Sequence, residues 1–264
     1  MEEIMRLKEV IAQLEQFCPP QFAVSWDNSG LQVGRYNQEI STICLAVDAS
    51  TPVIEYAVQK GADLLITHHP LLFSGLKRIH DRDFTGRRVI ELIRNDIACY
   101  AMHTNFDVMG MADAAADLLK LRDREVLEVT YEDDVSKEGI GRIGKLPEFM
   151  KLDDFAALVR EAFDLEQVRV YGDGNDAVIT CAILPGSGKE EIDLAVAAGA
   201  DVYVTGDVNH HAGIDAVEKG IAVIDAGHYG VEKLFVPYME DYLRRKLPEL
   251  EILTAPEGEP CHIL

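Results

Sequence analysis

Short apolar runs alternate with amphipathic segments along most of this chain. Short runs bounded by polar and turn residues predict buried strands, whereas apolar positions three and four apart predict helices. The predicted strands are residues 42–48, 63–67, 97–102, 178–184, 201–205 and 221–225. The predicted helices are residues 3–17, 51–60, 84–95, 111–120, 152–163, 189–198, 211–219 and 230–246. Strands that alternate with helices predict an α/β fold built from parallel β-α-β units.

Part of this pattern occurs twice. When the numbering is shifted by 138, PVIEYAVQKGADLLIT (52–67) aligns without a gap with EEIDLAVAAGADVYVT (190–205). The identical pairs are Ile54/Ile192, Ala57/Ala195, Val58/Val196, Gly61/Gly199, Ala62/Ala200, Asp63/Asp201 and Thr67/Thr205. Residues 96–103 likewise resemble residues 220–228. The repeat favours two linked α/β domains of similar topology, although common turn chemistry in two generic α/β units would also produce it.

The segment between the two copies, residues 123–150, is rich in acidic residues and glycine and is predicted to cross between the domains. Its GIGRIG sequence (139–144) lacks the strand-to-helix context of a dinucleotide-binding loop, so a short strand or hairpin is predicted there. We therefore predict a first domain of residues 1–126 plus 228–264 and a second domain of residues 127–227.

Composition and charge narrow the partners and the compartment. Hydrophobic residues make up 48% of the chain, and no apolar run approaches the roughly 18 residues of a membrane helix. The net charge of −21 argues against nucleic-acid binding, which needs clustered lysine and arginine. The acidic N-terminus is unlike a signal peptide, and the five dispersed cysteines lack a C-x-x-C motif. A cytoplasmic location with reduced thiols is therefore expected.

Seven of the eight histidines lie at or near the C-terminal ends of predicted strands, where open α/β sheets bind ligands. The candidate polar residues at these ends are His68, His69, His103, Asp107, Asp207, His210, His211, Asp225, His228 and Glu232. We predict that His210 and His211 line the cleft from the second unit. Capping or turn formation is an equally good interpretation of Asp207 and Asp225.

Five of these residues are predicted metal ligands: His68, His69, Asp107, His228 and Glu232. His228 and Glu232 are four residues apart, so a helix that starts near Tyr229 would direct both side chains to one ion. Imidazole with carboxylate favours zinc, manganese or iron(II), and five such ligands suit two ions better than one. A lone histidine at a strand end is more often a hydrogen-bonded residue, but the joint pattern favours a metal site. His103 is interpreted as a general acid or base, or as a residue that orients a ligand or the substrate.

Six blocks of sequence carry a resemblance to a known family. The blocks are SWDNSGLQVG (25–34), DLLITHHPLLF (63–73), HTNFD (103–107), GIGRIG (139–144), TGDVNHH (205–211) and GHYGVE (227–232). In this order they resemble the signatures of the Nif-three-like dinuclear metal-centre family, whose members are also named GTP cyclohydrolase 1 type 2 homologues. The chain looks like the compact bacterial form, without an inserted domain. It departs from the pattern at Asp207, where glutamate is common in the family.

The resemblance implies two linked α/β domains in a toroidal homohexamer, a trimer of dimers with a di-metal site inside the ring. It implies the same five metal ligands, with Asp107 and Glu232 as bridging carboxylates and two zinc, iron or manganese ions as cofactors. It also implies a metal-dependent hydrolase in which a bridging hydroxide attacks GTP or a related nucleotide. The alternative is a non-catalytic metal-binding ring that serves as a metal chaperone, sensor or interaction scaffold. A nucleotide-binding module without metals would require the histidines to be dispersed.

Overall fold

A computed structural model describes residues 5–262, which form alternating helices and strands. The strands are β1 (Gly30–Val33), β2 (Thr42–Ala46), β3 (Leu64–Thr67), β4 (Ala98–Ala101), β5 (Arg122–Glu132), β6 (Lys137–Lys151), β7 (Arg169–Tyr171), β8 (Ala177–Ser187), β9 (Val202–Gly206), β10 (Ala222–Asp225) and β11 (Glu251–Thr254). The helices are α1 (Leu7–Phe17), α2 (Thr51–Lys60), α3 (Phe84–Arg94), α4 (Thr104–Phe106), α5 (Ala112–Leu118), α6 (Leu152–Ala162), α7 (Ile192–Ala197), α8 (His210–Glu218), α9 (His228–Glu232) and α10 (Phe235–Lys246). The predicted α/β fold class is confirmed.

The chain divides into two compact units. The first consists of Met1–Phe106 and Phe235–Leu264, and the second of Asp107–Leu234. The second unit extends beyond the predicted second domain at both ends, and the domain boundaries drawn from the sequence stay a prediction.

Each unit contains one sheet, and the two sheets share a common arrangement. The strand order is β1-β4-β3-β2-β11 in the first and β5-β6-β8-β9-β10-β7 in the second. In both sheets three neighbouring strands are parallel, β2-β3-β4 and β8-β9-β10. An antiparallel strand then closes one edge, β1 beside β4 and β7 beside β10. The two similar sheets confirm the internal repeat predicted from the sequence.

The repeat extends to the pairing of individual residues. Cys44 pairs with Leu65 across β2 and β3, and Ala182 pairs with Tyr203 across β8 and β9, each 138 positions later. This agreement shows that the aligned segments occupy the same place in both sheets and do not merely share turn residues.

The repeated aspartates, Asp63 and Asp201, tie the beginning of one strand to the beginning of the next. The carboxylate of Asp63 accepts hydrogen bonds from the backbone N–H groups of Ser41 and Thr42, at 2.8 and 2.9 Å. The carboxylate of Asp201 accepts the corresponding bonds from residues 179 and 180, at 3.0 and 2.8 Å. Charge-assisted bonds of this kind set the strand register in both sheets.

The segment 123–150 is not a crossover. It forms most of an antiparallel hairpin, β5–β6, at the edge of the second sheet. Most of β5 is exposed, so it lacks the apolar run by which the other strands were predicted. The strand or hairpin predicted for GIGRIG is confirmed within β6. Gly139 allows the close pairing of β6 with β5, because a Cβ on this residue would lie 1.8 Å from the carbonyl oxygen of Glu128.

The predicted helices differ from the observed ones mainly at their ends. The predicted helix 230–246 is two helices, α9 and α10. Helix α1 begins at Leu7, and residues 3 and 4, predicted to begin it, lie outside the described residues. A π-helical turn, Asp107–Met111, precedes α5 where a helix was predicted from residue 111. No helix formed by residues 5–262 is long and apolar enough to cross a bilayer.

Candidate metal centre

Three histidines of the first unit meet at the carboxyl ends of β3 and β4. His68 and His69 follow β3, and His103 follows β4, which is its parallel neighbour. The ring centroids are 4.9 Å apart for His68 and His69, and 5.3 and 5.5 Å from these two rings to His103. One nitrogen from each ring lies within 4.8 Å of the others, which is close enough for a shared metal ion.

Hydrogen bonds orient the two histidines that follow β3. Nδ1 of His68 donates to the backbone carbonyl of Met102 at 2.8 Å. Nδ1 of His69 donates to the carboxylate of Asp48 at 3.0 Å. Because an oxygen acceptor fixes the proton on Nδ1, the lone pair of each ring is on Nε2. Metal-ligating histidines are typically held in this way, and Nε2 is the atom through which either residue could bind a metal ion.

A buried carboxylate holds His103 in the same manner. Asp27, whose side chain is fully buried, accepts a hydrogen bond from Nδ1 of His103 at 2.7 Å. It also accepts bonds from the hydroxyl groups of Ser29 and Thr104, both at 2.6 Å. Burial alone would raise the pKa of the Asp27 carboxyl, but these bonds and the nearby imidazole together hold that pKa well below its usual range. Asp27 is therefore ionised and orients the His103 ring through Nδ1.

Replacement of Asp27 by asparagine is expected to lower the free energy of unfolding by about 2–3 kcal/mol at pH 7, because charge-assisted hydrogen bonds are lost. The folded-state pKa of Asp27 lies below its unfolded value of about 3.9, so this stabilisation is present above that pH and declines below it. Urea unfolding is measured at pH 7, 5 and 3.5. The difference in the free energy of unfolding between wild type and Asp27→Asn should be smallest at pH 3.5. Asp134→Asn, on the exposed β5–β6 turn, serves as the control. If this difference in the free energy of unfolding instead grew as the pH fell, the lowered pKa assigned to Asp27 would be contradicted.

The second unit carries a histidine and a carboxylate on one short helix. Helix α9 begins at His228, and Nε2 of His228 lies 3.1 Å from Oε2 of Glu232. The prediction that a helix near Tyr229 would bring these side chains to one face is confirmed. Nδ1 of His228 donates to the carboxylate of Asp207 at 2.8 Å. Asp207, which adopts a left-handed φ of 58°, thus orients a candidate ligand, a role the sequence left open.

A glycine of the second unit, Gly186, packs closely against this pair. A Cβ on Gly186 would lie 2.5 Å from Oε1 of Glu232 and 3.9 Å from Nε2 of His228. A side chain at residue 186 would therefore displace the carboxylate of Glu232. The sequence gives no sign of such a position, because the side chain of glycine has no atom that could bind a metal.

The other predicted residues lie in more varied settings. Asp107 is the first residue of the π-helical turn, and such turns are frequent at functional sites. His210 and His211 are exposed at the start of α8, with ring centroids 5.3 Å apart. Asp225 accepts a hydrogen bond from the backbone N–H of Gly227 at 3.1 Å, which confirms its interpretation as a turn residue.

The chemistry of the donor set fits borderline divalent metals. The histidine cluster of the first unit offers three Nε2 atoms, and the pair in the second unit offers an imidazole and a carboxylate. Such ligands suit zinc, manganese or iron(II). Three cysteines are instead buried in the sheets as predicted, Cys44, Cys99 and Cys181. Burial raises the pKa of the Cys44 and Cys99 thiols to about 12, so these groups stay protonated at neutral pH.

Comparison with known proteins shows the family to which the chain belongs. The model of the family described as Duf34/NIF3 (NGG1p interacting factor 3) matches residues 5–260. The chain belongs to the DUF34/NIF3 family. A Clostridium acetobutylicum protein named "GTP cyclohydrolase 1 type 2 homolog" is 33% identical over 95% of this chain and 94% of its own length. A Methanocaldococcus jannaschii protein with the same name is 35% identical over 95% of this chain and 99% of its own.

A solved structure supports the same assignment. The crystal structure of a Bacillus cereus protein related to NIF3 superposes with a TM-score of 0.93 and 27% identity, over 100% of both chains. The family resemblance of the six sequence blocks is therefore confirmed. In this DUF34/NIF3 chain the block 25–34 also carries Asp27, to which the sequence analysis assigned no role. Its position in a block that resembles a family signature indicated a functional role, but only the structure shows that it orients His103.

Proposed function

We propose that this DUF34/NIF3 protein binds two divalent metal ions and is a metal-dependent hydrolase. The proposed ligands are His68, His69, Asp107, His228 and Glu232. The observation that carries the proposal is the shared orientation of the three histidines in this set. Each donates Nδ1–H to an oxygen acceptor, which leaves Nε2 for a metal. Metal-ligating histidines almost always donate the second ring N–H to an acceptor of this kind.

When bound, two divalent ions would lower the pKa of a bound water towards neutrality and polarise the bond to be broken. The chain's own residues would position and shield this chemistry. Asp48 and Asp207 keep the rings of His69 and His228 in their ligand orientation. His103, held by Asp27 and outside the ligand set, would accept or deliver a proton at Nε2.

GTP or a related nucleotide is the proposed substrate. Support comes from the name of the two relatives, "GTP cyclohydrolase 1 type 2 homolog". The charge of the chain adds a physical argument, since a protein with a net charge of −21 needs a local cation to hold an anionic nucleotide. A metal pair would supply that charge. We also propose, from the family resemblance, that the protein assembles as a toroidal homohexamer, a trimer of dimers.

Turnover of GTP by the protein loaded separately with zinc, manganese or iron(II) tests this function. We expect turnover by the wild type, its loss on chelation, its recovery when the metal is returned, and no turnover by His68→Ala. His262→Ala, which changes the one histidine far from the predicted strand ends, should leave the rate unchanged. Metal binding without turnover of GTP or of other nucleotides would contradict the hydrolase and support the non-catalytic metal-binding alternative. Equal rates in wild type and His68→Ala would remove the proposed site.

A further inference from the structure

Two aromatic side chains of the first unit are exposed beside the histidine cluster. Trp26 is 61% exposed and Phe73 is 57% exposed. Their ring centroids are 5.9 Å apart, and each ring makes a T-shaped contact with the ring of His103, at centroid distances of 6.0 and 6.3 Å. Large aromatic rings usually contribute to cores or to binding surfaces, so an exposed pair next to polar groups indicates a place where a ligand is held.

Hydrogen bonds tie together the two chain segments that carry these rings. Oε1 of Gln32 accepts bonds from the backbone N–H of Leu72 at 3.2 Å and from the amide of Asn28 at 3.3 Å. The same Asn28 amide donates to the carbonyl of Leu72 at 2.5 Å. Trp26 lies two residues before Asn28, and Phe73 directly follows Leu72. The backbone segments that carry the two rings are therefore held together without a ligand, which reduces the entropy lost on binding.

Other exposed phenylalanines have different surroundings. Phe84 lies beneath the guanidinium of Arg88, 5.0 Å from its ring centroid. Phe149 is 72% exposed but belongs to β6 in the second unit. Phe149 therefore provides a matched control, because its ring is at least as exposed as that of Phe73 and belongs to the other unit from His103.

We propose that Trp26 and Phe73 form a stacking surface for the planar heteroaromatic ring of a small-molecule ligand. Aromatic side chains stack on heterocyclic bases with little dependence on which base is present. The T-shaped contacts with His103 place that surface next to the polar groups of the histidine cluster, so one molecule can contact both. This inference deepens the proposed function by assigning the residues that recognise the substrate ring. The stacking itself needs neither a metal nor turnover.

The single tryptophan of the chain makes this binding directly measurable. Metal-free, full-length protein is titrated with guanosine, with adenosine and with ribose 5-phosphate, which lacks an aromatic ring, while Trp26 fluorescence is recorded. Both nucleosides are expected to quench the fluorescence to a plateau, and ribose 5-phosphate is not. Phe73→Ala should weaken nucleoside binding about tenfold, which is within the range of one base–aromatic contact. Phe149→Ala should bind as the wild type does.

Absence of saturable quenching by both nucleosides, or equal affinities in wild type and Phe73→Ala, would overturn the inference. A change in the sedimentation of Phe73→Ala without nucleoside binding would also overturn it, since the rings would then contact a second copy of the chain. The test of the stacking surface can fail or succeed independently of the test of the proposed hydrolase function. Nucleoside binding without GTP turnover leaves the stacking surface standing, whereas turnover with an unchanged KM in Phe73→Ala refutes the surface alone.

Discussion

Replacement of Glu232 by glutamine is expected to reduce metal affinity more than 100-fold and to lower the bound metal below two ions per chain. Glu232 is only 3% exposed, and its carboxylate lies against Nε2 of His228. Glutamine keeps the shape of the side chain but removes the negative charge that a divalent cation requires. Loss of a residue that merely orients a ligand costs about 10–100-fold, so loss of the charged ligand proposed here should exceed that range.

Competition with a metal-binding dye and elemental analysis of the dialysed protein measure this effect. Glu218→Gln, an exposed change on α8, removes the same charge away from the site and should retain wild-type metal content. The circular dichroism of metal-free Glu232→Gln should match that of the wild type, which separates ligand loss from unfolding. Retention of two tightly bound ions by Glu232→Gln would exclude Glu232 as a ligand.

Replacement of Gly206 by alanine is expected to reduce metal affinity by up to about 100-fold and the free energy of unfolding by about 1–3 kcal/mol. Gly206 is the last residue of β9, and a Cβ there would lie 2.5 Å from the backbone nitrogen of His228. The same atom would lie 2.8 Å from the carbonyl oxygen of Gly186. Backbone atoms cannot rotate aside as a side chain can. The start of α9 must therefore move, and the side chains of His228 and Glu232 move with it.

Urea unfolding and metal titration of the same preparation test this second expectation. Gly75→Ala is the matched control, because a Cβ at Gly75 meets no atom within 4 Å and its backbone does not require glycine. Its stability and metal affinity should equal those of the wild type. If Gly206→Ala binds metal normally, α9 does not depend on the close approach of β9, and the geometry assigned to His228 is wrong.

The parallel strands of both sheets could be predicted because both faces of these strands are buried. β2, β3 and β9 are buried at every position, so each appears in the sequence as an apolar run. The edge strands gave no such signal, since β1 is only half-buried and β5 is largely exposed. The break between α9 and α10 was not predicted, because the apolar positions keep a helical spacing across Lys233 and Leu234.

The candidate ligands could be predicted from their positions at strand ends, but the residues that orient them could not. Asp27 precedes His103 by 76 positions, and Asp207 precedes His228 by 21. An aspartate in a loop has the same appearance in a sequence whether it caps a turn or holds an imidazole. Only the folded chain brings these carboxylates to the ring nitrogens. Gly186 was missed for a different reason, because its contribution is the absence of a side chain.

Two metal ions bound by five side chains are the central expectation for this protein. Crystals grown with zinc, with diffraction measured on both sides of the zinc absorption edge, test it most directly. Two anomalous peaks per chain are predicted, about 3.5–4 Å apart and each about 2.0–2.2 Å from its nitrogen and oxygen ligands. Those ligands should be His68, His69, Asp107, His228 and Glu232. A single peak per chain, or two peaks coordinated by other residues, would contradict the dinuclear centre.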